Sequence, residues 1–127
     1  MNTEDLKYPG SRRIYVPGSI YPDIRVSMRE VTLSDSVFPD GRTESNAPVR
    51  IYDCSGPWGD DDFSGCEEQG LPALRRPWIS ARADVVQDAD GVLRAADTAV
   101  PPTQRAYALR GIITPEMEYV AIRENLG

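Results

Sequence analysis

Ile24-Arg25-Val26-Ser27-Met28-Arg29-Glu30-Val31-Thr32-Leu33 is the stretch whose pattern decides the fold. Apolar Ile24, Val26 and Met28 alternate with Arg25, Ser27 and Arg29, the two-residue period of a strand with one buried face. The apolar set then moves to Val31 and Leu33, so a bulge or break is expected at Arg29-Glu30. Just upstream, Arg13-Ile14-Tyr15-Val16 is β-prone and stops at Pro17-Gly18, a turn dipeptide. That predicts two short strands around a turn. Downstream, Val49-Arg50-Ile51-Tyr52 predicts a third.

The connections are rich in breakers. Residues 34–48 (SDSVFPDGRTESNAP) read as a surface loop, and residues 53–69 space Gly and Pro too densely for regular structure. In Gly70-Leu71-Pro72-Ala73-Leu74-Arg75-Arg76-Pro77-Trp78-Ile79 two prolines five apart limit any helix to about one turn. Residues 84–102 form another connection, with Asp90-Gly91 as a hairpin turn. Residues 106–110 allow one or two helical turns ended by Gly111. Thr114-Pro115-Glu116 is a helix start, with Thr as N-cap, Pro at the first helical position and acids in the first turn. That helix is expected over 115–125, with Met117, Val120 and Ala121 as its apolar stripe. The fold class expected is therefore α+β: a small, mostly antiparallel sheet with long Pro/Gly-rich loops and a C-terminal helix. One domain is expected over 1–127, with residues 1–10 as a flexible tail.

Composition removes several classes of chemistry from these 127 residues. There is no His, so Ser–His–Asp and Cys–His catalysis and imidazole-dependent zinc sites are excluded. Twenty acidic against 14 basic side chains give a charge of −6, which argues against a phosphate-backbone binder and hence against a nucleic-acid partner. No apolar run approaches the roughly 18 residues of a membrane span, and the first 15 residues have no signal-peptide core, so a cytoplasmic location without membrane contact is expected. Cys54 and Cys66 form no CxxC pair, and two thiols alone close neither a zinc site nor an iron–sulfur cluster. Free thiols are the expectation in a reducing compartment, although a disulfide across the intervening loop is sterically conceivable.

The remaining constellations are weak. Asp60-Asp61-Asp62 lacks the alternation and closing Glu of a Ca²⁺ loop and reads as solvated, as does Glu67-Glu68. Arg75-Arg76 can clamp an anion such as a phosphate, or can pin its extended segment to a carboxylate elsewhere. Trp58, Trp78, Tyr52, Tyr107 and Tyr119 are dispersed, as packing aromatics are.

Five strings are not generic. Residues 111–125 (GIITPEMEYVAIREN) resemble the GIITPEMEFVAIREN signature of the phosphomethylpyrimidine synthase (ThiC) family of thiamine biosynthesis. SRRIYV at 11–16, DIRVSMREV at 23–31, YDCSGPW at 52–58 and GLPALRRPWI at 70–79 are similar to further family blocks, in family order. The resemblance is to the amino-terminal ThiC-associated domain only. In the family a catalytic (β/α)₈ barrel follows, with metal-binding histidines and a CxxCxxxxC segment for a 4Fe–4S cluster. The cluster and S-adenosylmethionine drive a radical rearrangement of aminoimidazole ribotide to hydroxymethylpyrimidine phosphate. The resemblance therefore implies a structural, accessory domain without cofactor of its own, partnered by a ThiC-type barrel or full-length synthase and able to homodimerise. It implies no activity for this chain alone; Arg75 and Arg76 stay the one candidate anion contact. The chain departs from the pattern at Ser27 (family Pro), Cys54 (Thr), Ala83 (Gly), Ala106 (His) and Leu109 (Arg). A Gly position that needs positive φ accepts Ala only at a cost. Those departures, and an end so close to a helix terminus, fit either a piece of a longer enzyme or a short gene of its own. The latter would be a stand-alone binding or interaction module.

Overall fold

The computed structural model describes residues 9–126, so most of the expected tail at 1–10 lies outside the described residues. Strand β1 (Ser11–Pro17) pairs antiparallel with β2 (Arg25–Val31), which pairs in turn with β5 (Val49–Tyr52), giving the order β1-β2-β5. The register runs unbroken from Ser11 opposite Val31 to Pro17 opposite Arg25. The bulge expected at Arg29-Glu30 is therefore not there, and an ion cluster explains the change of polarity instead. Glu30 shares a cross-strand row with Arg12 and Arg50. Its carboxylate accepts from Arg12 at 2.7 Å and from Arg50 at 3.2 Å. The strand ends at Val31, and Leu33 lies beyond it, exposed.

Alternation places Ile14, Val16, Val26, Met28 and Tyr52 on one face of this sheet. Ile24, Val26 and Met28 are at most 1% exposed and form the core with Ile14, Val16, Tyr21, Tyr52, Trp78, Tyr119 and Ile122. Two small hairpins complete the β structure. One pairs β3 (Ser36–Val37) with β4 (Thr43–Glu44), inside the stretch read as loop. Only two residues pair on each side, too few for a periodic signal. The other pairs β6 (Val85–Gln87) with β7 (Leu93–Ala95) around Asp90-Gly91, where Gly91 takes φ +81°.

Helix α1 (Arg76–Ala81) has Pro77 in its first turn, and α2 (Gln104–Leu109) is capped by the Thr103 hydroxyl accepting from Ala106 N. Helix α3 (Pro115–Arg123) begins as the sequence predicts, with the Thr114 hydroxyl accepting from Met117 N at 3.2 Å. The same hydroxyl donates to Gln104 Oε1 at 2.5 Å, tying α3 to α2. Of the expected stripe on α3, Met117 and Ala121 are half-buried. Val120 is 47% exposed, whereas Glu116 and Glu118 are buried and Tyr119 and Ile122 meet the core. The helix is held by its carboxylates as well as by these two apolar contacts: Glu118 accepts from Ile20 N at 2.8 Å and Tyr21 N at 3.0 Å. The architecture is α+β, with a terminal helix packed on antiparallel strands. No helix among the described residues is long and apolar enough to cross a membrane.

Candidate functional site

The predicted pair Arg75 and Arg76 sits at the entry to α1, at the lip of a shallow apolar depression beside Ile79 and Leu93. The two side chains are not used alike. Arg75 is 57% exposed but reaches Glu116 Oε1 at 3.4 Å. Arg76 has no ion pair or side-chain hydrogen bond among the described residues. The stronger partner of Glu116 is Arg82, whose guanidinium donates to both carboxylate oxygens at 2.9 and 2.7 Å. Burial works against a charged Glu116, but the Arg82 bonds, its own backbone N–H and the two guanidinium charges outweigh it and hold the carboxyl below its ordinary range.

A strained residue aims this lock. Ala83 has φ +60°, the left-handed conformation that an alanine adopts at a cost. Arg82 before it turns to Glu116, and Asp84 after it accepts from the Tyr107 hydroxyl. Tyr107 is 3% exposed, and the Arg82 guanidinium lies 5.0 Å from its ring centre. Ala83→Gly is expected to raise stability by about 1 kcal/mol, since glycine removes the strain while losing more chain entropy. Thermal melting checks this; an unchanged or lower midpoint counts against it.

A second polar knot lies on the other sheet face. Asp53, which follows β5, accepts from Ser55 N at 2.9 Å and Ser55 Oγ at 2.5 Å. Its other oxygen lies 3.8 Å from Arg13 and 3.6 Å from Arg29. Burial raises the Asp53 pKa, but the Ser55 bonds and both guanidiniums more than reverse that. For Asp53 and Glu116 alike the folded pKa is depressed, so their stabilisation is complete above the unfolded carboxyl value, roughly pH 4–4.5. It is lost as pH falls through the lower folded values. Melting temperature is expected to drop on acidification below about pH 4, with a shallower drop in Glu116→Gln. A midpoint flat down to pH 2 would contradict this.

Sequence reasoning missed these residues because each looks ordinary locally. Glu116 reads as a first-turn acid and Asp53 as a turn former. Only the spacing of Asp53 and Ser55, an Asx-turn signature, gave a hint.

Beside the Asp53 knot, a cleft of about 540 Å³ opens between Tyr15, Arg25 and Ser27 on the strands and the segment carrying Leu71, Leu74 and Trp78. Tyr119 forms part of its wall, and the Tyr119 hydroxyl lies 2.9 Å from that of Tyr52. Burial, and then the Tyr52 hydroxyl, raise the Tyr119 pKa, so it stays a neutral phenol.

The chemistry of the donors does not suit an iron–sulfur cluster. Cys54 and Cys66 are free and exposed; Cys54 Sγ points at Tyr52 O at 4.0 Å and Cys66 Sγ at Glu68 at 3.9 Å. Among the described residues no three His, Cys, Asp or Glu side chains gather as metal ligands would. Asp60 instead accepts from the Tyr15 hydroxyl at 2.5 Å.

Compared with known families, residues 7–86 match the model of the ThiC-associated domain, well over half of the chain. The matched segment contains β1 to β5, α1, the Arg82 lock residue and the Asp53 knot, and ends within β6.

Proposed function

Because the chain belongs to the ThiC-associated domain family, which links it to the ThiC protein of thiamine biosynthesis, we propose that it is a structural, accessory domain of a phosphomethylpyrimidine synthase and not catalytic alone. In that setting it works in the cytoplasm, as one unit. The observation that carries this reading is the use made of buried charge. Asp53, Glu116 and Glu118 are each bound to guanidiniums or backbone N–H groups of this same chain, which suits scaffolding. The synthase's 4Fe–4S cluster and S-adenosylmethionine would be held elsewhere, since the two cysteines here do not make a cluster's donor set.

The face left for a partner is exposed apolar surface. Ile20, Ile113, Val120 and Leu126 are 54%, 51%, 47% and 66% exposed around α3. Such a patch suits packing against a ThiC-type barrel, or against a second copy in a dimer. Incubation with aminoimidazole ribotide, S-adenosylmethionine and reductant is expected to yield no hydroxymethylpyrimidine phosphate; turnover overturns the reading. Full-length synthase is expected to retain the chain on a column, and Val120→Glu to weaken retention about tenfold, as burying an unpaired charge would. No retention of either form counts against the partner.

A stand-alone anion-binding module is the second reading, favoured by Arg76, which is unpaired among the described residues, beside the exposed Arg75. Inorganic phosphate should then bind saturably, and Arg76→Ala should abolish that binding.

A further inference from the structure

We propose that the cleft between the β1–β2 strands and the Leu71–Trp78 segment binds a small planar aromatic molecule carrying one acidic group. The volume, about 540 Å³, lies within the usual range for small-molecule sites. Its walls carry the Trp78 indole with the apolar side chains of Leu71 and Leu74, a lining that favours a flat ring over a saturated one of the same size.

The polar groups lining it set the charge. Three donors there are unused: among the described residues the Arg25 guanidinium, the Ser27 hydroxyl and the Trp78 indole N–H have no hydrogen-bond partner. Arg25 rests on the Tyr15 ring at 4.0 Å, which holds its planar fork in place. Ser27 as a residue is 8% exposed and lines the cleft, which places its hydroxyl as a neutral donor on the wall. Arg13, also on the wall, is already engaged by Ser55 and Asp53. The carboxylate on the lining is Asp23, which opposes a second negative charge and so limits the ligand to one. A guanidinium fork with two neutral donors matches a carboxylate.

The test uses Trp58→Phe, which leaves Trp78 the sole indole; Trp58 is 61% exposed, so its loss spares the core. The Trp78 indole N–H resonance is followed while nicotinate, 1-methylnicotinamide or cyclohexanecarboxylate is added. These hold ring size constant while varying charge and planarity. A saturable shift with nicotinate is expected, about tenfold tighter than with either of the others, the worth of one charge-assisted hydrogen bond. Arg25→Ala should weaken nicotinate about tenfold with an unchanged melting temperature, and Ser27→Ala should weaken it less. No saturable shift, equal affinity for all three compounds, or full affinity in Arg25→Ala would each overturn the proposal. Synthase binding through α3 is read separately, so the accessory role stands or falls independently.

Discussion

Glu116→Ala is expected to lower the unfolding free energy by about 3 kcal/mol, and the melting temperature by about 10 °C. Glu116 is 9% exposed and accepts both hydrogen bonds from Arg82, whose side chain is 14% exposed. Truncating the acid leaves a guanidinium out of water with no counter-charge, the costly half of a broken buried pair. Arg75 cannot compensate, since it carries the same sign and points at the same carboxylate. Glu116→Gln keeps one acceptor and should cost less. Urea unfolding of the three proteins checks this, and a loss below 1 kcal/mol for Glu116→Ala would mean that Arg82 finds water or another partner.

Gly18→Ala is expected to be comparably damaging, by about 3 kcal/mol. Gly18 is buried in the β1–β2 turn, where a Cβ would fall onto the Glu118 carboxylate and the Tyr21 carbonyl oxygen. One of these is backbone, so the collision cannot be relieved by a side-chain rotation alone. Moving Glu118 aside breaks its bonds to Ile20 N and Tyr21 N, which join the turn to α3 across almost the whole chain. The loss should appear first as weakened hydrogen-exchange protection in α3, before global unfolding. If Gly18→Ala melts with the parent protein, Glu118 is not what positions the helix.

These residues mark where the sequence was legible. The strand over residues 25–31, the third strand at 49–52 and the start of α3 were readable, because each rests on local rules: alternation, a turn dipeptide, a cap. The burial of Glu118 on α3 was not legible, because hydrophobic periodicity alone ranks Val120 above it. Here two main-chain N–H groups recruit the glutamate, and the valine is left outside. The polarity change at Glu30 was misread as a bulge for a related reason. The row of Arg12, Glu30 and Arg50 exists only once three strands are side by side.

Among candidate site residues, Arg75 and Arg76 were visible as adjacent charges, while Arg82, Glu116, Asp53 and the cleft donors were not. By itself, the sequence determined the α+β class, the three strands of the main sheet, the Thr114 cap and the family blocks, since these depend on neighbours within a turn or a two-residue period. Only the tertiary structure decided which charges are buried, and which donors are left open in the cleft. Partners such as Ile20 and Glu118 stand 98 positions apart, and no local pattern encodes their contact. Long-range pairing is set by packing and by the need to satisfy every buried polar group, a condition on the whole molecule.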